Sequence, residues 1–134
     1  MLGTLVGVLM TLIGGEPDVV YASEPAPAQT ERRVVLIEAQ ASLLPELEKI
    51  CACESGDGTI GSSRQFNDDG TVLRGRVDND DIGRCQINLR YHKESAEKMG
   101  LDVFSDQGNI RYANDLYERQ GSKPWSASQG CWDK

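Results

Sequence analysis

Pro45-Glu46-Leu47-Glu48-Lys49-Ile50-Cys51-Ala52-Cys53-Glu54-Ser55-Gly56 is the stretch on which the reading of this chain turns. Proline suits the first turn of a helix, where its missing N–H would be unpaired anyway. Leu47, Ile50, Cys51 and Glu54 then recur at i, i+3, i+4 and i+7, which is one helix face. That face is apolar until its last member, a carboxylate, and Gly56 and Gly58 end the helix. A carboxyl that continues an apolar stripe is partly desolvated, which raises its pKa and keeps its proton near neutral pH. Such a group is suited to act as a general acid. The other reading is that the helix ends at Glu54 and the side chain points to solvent. Spacing does not choose between them.

Outward from this helix, Asp57–Asp69 is rich in Gly, Ser and Asp and reads as loop. Val72–Val77 follows the turn signal Asp69-Gly70 and reads as a short strand, with Asp78–Asp81 as a hairpin turn and Ile82–Ile87 returning. Tyr91–Met99 reads as a helix closed by Gly100. Ser105 offers an N-cap for a helix over Asp106–Arg119, closed by Gly121 and carrying an apolar stripe of Ile110, Ala113, Leu116 and Tyr117. Upstream, Val34–Ala41 reads as a short helix broken near Pro45. The expected fold class is α+β, mostly helical, with one small β-hairpin.

Leu2–Ile13 is an uncharged apolar run, too short to span a bilayer comfortably, and Val20-Tyr21-Ala22 offers a small-residue cleavage site. The expectation for residues 1–22 is a secretory signal peptide, or an uncleaved membrane anchor, since no Lys or Arg precedes the run. Residues 23–33 are polar and rich in Pro and Ala and read as a linker, leaving 34–134 as the folded domain. Export places the chain outside the cytoplasm, secreted or in the cell envelope. There disulfides are favoured over free thiols.

Composition mainly excludes. The 134 residues are 39% hydrophobic, so one small core is expected and a bulky cofactor cradle is not. One histidine argues against His-rich metal sites and a Ser/His/Asp triad. A net charge of −7 argues against a nucleic-acid binder, which needs basic charge to displace counterions. No cofactor and no metal are expected, and the chain is expected to be a monomer.

Cleavage of a glycoside usually takes two carboxylates flanking the bond. Asp78, Asp80 and Asp81 are the candidates to accompany Glu54, although Asp in a turn needs no function to explain it. One carboxylic acid suffices where the substrate's own N-acetyl group supplies the nucleophile. Trp125, Trp132, Tyr91, Tyr112 and Tyr117 are candidates to stack on sugar rings, or else core and rim residues. Arg74, Arg76, Arg84 and Arg90 cluster around the hairpin, either to meet anionic groups of a substrate or as a solvated face. His92 is placed on a helix surface without a role. Cys51, Cys53, Cys85 and Cys131 allow three disulfide pairings, which spacing does not separate, and fit poorly to a zinc site because Cys85 and Cys131 stand alone.

Cys53-Glu54-Ser55-Gly56, Gly83-Arg84-Cys85-Gln86-Ile87-Asn88, Asn109-Ile110, Gln120-Gly121 and Trp125…Cys131 occur in the order seen in lysozyme-like lytic transglycosylases. The chain resembles the soluble lytic transglycosylase (SLT) type over roughly residues 45–132, and its end resembles the resuscitation-promoting factors. The resemblance implies Glu54 as the catalytic acid/base. It implies Ser55, Gln86, Asn88, Asn109, Tyr112 and Trp125 as substrate-binding residues. The implied substrate is the peptidoglycan glycan strand, cut between MurNAc and GlcNAc by lytic transglycosylase or muramidase chemistry. A glycan-binding module that kept the cleft and lost turnover is the alternative. The resemblance further implies a Cys53–Cys131 disulfide, closing a loop of about 78 residues, worth ~4 kcal/mol in the chain-entropy treatment. Cys51 and Cys85 are then left to pair with each other or to stay free. Two departures stand out: Arg84-Cys85 replaces an apolar pair of the family motif, and Asp57–Ser63 reads as an insertion.

Overall fold

The computed structural model describes residues 39–134. The expected signal or anchor at 1–22, the linker at 23–33 and the first part of the Val34–Ala41 helix lie outside the described residues. The fold is α+β and mostly helical. Helix α1 (Pro45–Ser55) is followed by a long loop and a two-stranded antiparallel sheet of β1 (Asp81–Ile82) and β2 (Ile87–Asn88). Helices α2 (Leu89–Lys98) and α3 (Asp106–Gln120) come next, then a 3₁₀ segment over Lys123–Ser128 and the one-turn α4 (Gln129–Trp132).

The apolar positions of α1 behave as the periodicity requires. Leu47, Ile50 and Cys51 are at most 2% exposed and pack with Ile87, Ile110, Tyr112, Ala113, Leu116 and Trp125. Pro45 opens the helix, Glu46 and Glu48 place negative charge at its positive end, and Gly56 closes it in extended conformation. A β-carbon at position 56 would collide with the Ser62 backbone, so glycine lets the following loop fold back against the helix end. Ser105 caps α3 by accepting the Gly108 N–H at 3.0 Å, and Gly121 ends it at φ 62°. Asn88 caps α2 by accepting the Arg90 N–H at 3.0 Å.

Two expectations need correction. Ala39–Ala41 is not helical. Side chains of α3 take the backbone groups of this segment instead: Ala41 N–H donates to Gln107 Oε1 at 2.7 Å, and Asn114 bridges Leu44 N–H and the Ser42 carbonyl. The hairpin also differs. Asp78–Asp81 does form a turn, but Val72–Val77 contributes only isolated bridges, Phe66↔Val72 and Arg74↔Ile82. The returning segment Ile82–Ile87 is not one strand, because Gly83–Gln86 turns the chain again and makes β1–β2 the hairpin proper. Gly83 (φ 70°) and Gln86 (φ 50°) both take left-handed conformations, and Cys85 between them is drawn inward.

What draws it inward is covalent. Cys51 and Cys85 form one disulfide, fully buried, and Cys53 and Cys131 form the other. The four sulfurs that a zinc site would use are spent in these bonds. Two disulfides in a domain with so small a core fit an oxidising, extracytoplasmic compartment. Among the described residues no helix is long and apolar enough to cross a membrane.

Candidate active site

Because α1 is anchored at Cys51 and Cys53, its last turn is held on two sides, and Glu54 projects from that turn. Two concavities meet there. One, about 440 Å³, runs along Gln86, Asn88, Tyr91, His92, Gln120 and Trp125. The other, about 560 Å³, runs along Ser55, Arg64, Asn67, Arg74 and Arg76. Glu54, Asp81 and Gln86 line both, so they occupy the junction of a two-lobed cleft. Each lobe is within the size range of small-ligand pockets.

Glu54 is half-buried and its carboxyl is held above the ordinary carboxylate range. Burial is the main cause, since a charge in low dielectric loses hydration. The Ser128 hydroxyl, donating to Glu54 Oε1 at 2.6 Å, pulls in the opposite direction by favouring the ionised form. The negative charge of Asp81 pushes it up again. A carboxyl so placed keeps its proton at higher pH than a surface glutamate and has a polar partner for the anion it becomes. It can give a proton to a bound oxygen and later take one back.

The three aspartates of the turn separate cleanly. Asp81 lines the cleft, with Asn88 Nδ2 donating to its Oδ1 at 2.8 Å. Asp78 Oδ1 accepts the Asp80 N–H at 3.0 Å, and Asp78 and Asp80 pair with Arg90 at 3.5 and 3.1 Å. Those two hold the turn; Asp81 alone of the three lies beside Glu54.

Gln86 stands at the junction, its left-handed backbone fixed partly by its own Nε2 donating to the Gly83 carbonyl at 2.9 Å. A non-glycine residue in this region stores on the order of 1 kcal/mol or more of strain, a feature concentrated at functional sites. Asn88 lines the first lobe and orients Asp81. Ser55 borders the second lobe, but its hydroxyl donates to the Cys51 carbonyl at 3.2 Å and accepts the Arg64 N–H at 2.9 Å. It ties the loop to α1. Asn109 is wholly buried away from the cleft, accepting the Cys85 N–H and donating to the Ile82 and Val103 carbonyls. Tyr112 is likewise in the core, its hydroxyl 3.0 Å from His92 Nδ1.

Among the described aromatic residues only Tyr91, 71% exposed, presents an open ring to the cleft. Trp125 forms part of the wall, is 4% exposed and donates its Nε1–H to the Cys85 carbonyl at 2.9 Å. Tyr117 and Trp132 line neither lobe. Of the arginines, Arg84 is committed to Asp106 and Ser63, and Arg90 to Asp78 and Asp80. Arg74 and Arg76 line the second lobe. His92 is not a bare surface residue: it is half-buried in the first lobe, and burial, aided by Arg119, holds its imidazole below the usual value.

Ser128 is the residue that sequence reasoning missed. It lies 74 positions from Glu54 in an unpatterned tail. The implied Cys53–Cys131 bond was the available signal, because it must bring the turn before Cys131 against the end of α1.

The chain matches no protein-family model, and neither the curated proteins nor the solved structures contain a match to it.

Proposed function

We propose that this domain cleaves peptidoglycan glycan strands between MurNAc and GlcNAc, with Glu54 as the single acid/base. The observation that carries the reading is Glu54 itself: a half-buried carboxyl, held protonated above the ordinary range, at the junction of a two-lobed cleft. A strand lying across both lobes would put one glycosidic bond near it. Glu54 then protonates the glycosidic oxygen as the bond to C1 breaks, and the substrate's N-acetyl carbonyl oxygen bonds to C1. In the second step the 6-hydroxyl attacks C1, the bond from C1 to the N-acetyl oxygen breaks and restores the amide, the hydroxyl proton passes to the Glu54 carboxylate, and an anhydro sugar leaves. Attack by water instead gives the muramidase outcome. Asp81 supports the first step electrostatically, through the proton it helps Glu54 retain. No metal or cofactor enters these steps. A substrate of this kind places the protein outside the cell or in its envelope, in keeping with the two disulfides.

The test is Glu54→Gln against the unaltered protein on purified peptidoglycan. Solubilisation is expected to fall by a factor of about 10²–10⁴, the usual contribution of a general acid. Equal solubilisation by both proteins rejects the reading. No solubilisation by either, with strands still bound, establishes a glycan-binding module that lacks turnover. Mass spectrometry of the released muropeptides distinguishes the two chemistries, since anhydro ends lack the mass of one water.

A further inference from the structure

Three guanidinium groups line the second lobe of the cleft, although the chain as a whole carries −7. Arg74 and Arg76 flank Gly75 on a segment fixed by its backbone: Gly75 N–H donates to the Asp81 carbonyl at 2.9 Å, and Gly83 N–H donates to the Leu73 carbonyl at 2.8 Å. A β-carbon at position 75 would collide with the Asp78 carbonyl and press on Gln86 Oε1, so glycine lets the segment lie directly on the junction residues. Among the described residues none of the three arginines is neutralised in a strong pair. Arg64 meets Asp68 at 3.8 Å, with both side chains exposed, a pair worth little. Arg74 gives one N–H to the Asn79 carbonyl at 2.9 Å and lies over the Phe104 ring. Arg76 forms no ion pair among the described residues. A guanidinium presents donors in a planar fork that matches a carboxylate. The first lobe has no such groups; its lining is neutral apart from Glu54 and Asp81 at the junction and His92, which burial disfavours as a cation.

We infer that the lobe lined by Arg64, Arg74 and Arg76 binds a carboxylate carried by the glycan, and so fixes which way a strand lies across Glu54. This rests on the glycan-strand reading above. Two carboxylates have this chemistry, the lactyl group of MurNAc itself and the free carboxylates of an attached peptide.

Binding of three probes to the full chain carrying Glu54→Gln tests the inference: neutral N-acetylglucosamine oligomers, peptide-free glycan strands with the lactyl carboxylate, and strands with peptides. At least one charged probe is expected to bind about tenfold more tightly than the neutral oligomer, as one charge-assisted contact implies. Adding Arg76→Gln, which breaks no ion pair among the described residues, removes that advantage and leaves the neutral oligomer unaffected; Arg74→Gln does the same where it folds. Raised salt narrows the gap. An advantage confined to the peptide-free strands assigns the lactyl carboxylate, which an attached peptide converts to an amide; one confined to the third assigns the peptide, and one shared by both shows that the lobe takes either carboxylate. Equal binding of all three, or a gap that survives Arg76→Gln, overturns this inference and leaves the proposed function standing. Failure to bind any of the three overturns both.

Discussion

Ser128 Oγ stands 2.6 Å from Glu54 Oε1, and Trp132 Nε1 donates to that same Ser128 oxygen at 3.0 Å. With one lone pair occupied by the indole, the hydroxyl is oriented as a donor. Its two nearby acceptors are the Glu54 carboxyl and the Trp125 carbonyl at 3.1 Å. The tail of the chain thus supplies a hydrogen bond that stabilises the anion of Glu54, while burial and Asp81 oppose that anion. The proton on Glu54 is set by a balance of residues from three parts of the chain.

That balance predicts opposite shifts from two substitutions. Ser128→Ala removes a contact that favours ionisation, so the alkaline limb of the activity profile moves to higher pH. Asp81→Asn removes a charge that disfavours ionisation, so the limb moves to lower pH. The measurement is the initial rate of peptidoglycan solubilisation across pH for the three proteins. Limbs that stay put or move together would show that Glu54 is not the group titrating.

The same raised pKa makes a stability prediction independent of any substrate. The folded state holds the Glu54 proton more tightly than the unfolded state does. Its contribution is therefore fully present below the ordinary value of 4.5 and is lost as pH rises through the higher folded value. Glu54→Gln keeps an acceptor for Ser128 and removes the buried charge. Its thermal midpoint should exceed that of the unaltered protein at pH 7, with the difference closing as pH falls through the raised folded value toward 4.5. A difference independent of pH would contradict the burial argument.

Helices α1, α2 and α3 were legible because their signals are local, whereas the 3₁₀ segment and α4 of the tail were not. Ser105, the apolar stripe and Gly121 bound α3 within one residue of its observed end. The same holds for the face that leads to Glu54. The turn at Gly83–Gln86 was not legible, because what makes it a turn is distant: a disulfide to Cys51 and an Asn109 side chain from α3. Asn109 itself could be singled out from the motif, but not the direction of its amide, which faces inward to three backbone groups. Ser128 carries no local signal at all.

Asn109→Ala is accordingly predicted to act on folding. It strands the Cys85 N–H and the Ile82 and Val103 carbonyls in the interior, at a cost of about 1–3 kcal/mol for each group that finds no other partner. Asp80→Asn, by contrast, weakens a pair with Arg90 that is largely exposed on both sides and screened by solvent, so its effect should be small. Urea unfolding of the two variants gives the comparison. A milder effect at Asn109 than at Asp80 would mean that the buried network is not what holds the turn.

The two disulfides are predicted to open in order. Cys51 and Cys85 are 0% exposed, whereas Cys131 lies at the surface of α4 and Cys53 is only half-buried. Graded reductant followed by alkylation and peptide mapping should label Cys53 and Cys131 first, with Cys51 and Cys85 protected until the domain unfolds. Replacing Cys53 and Cys131 by serine removes the closure of a 78-residue separation, at a cost of roughly 4 kcal/mol. It also frees the turn that carries Ser128 from the end of α1. If the variant stays folded, its alkaline limb should therefore move up, as in Ser128→Ala. A limb that remains in place despite the lost bond would show that packing of Trp125 and Trp132 alone holds Ser128 against Glu54.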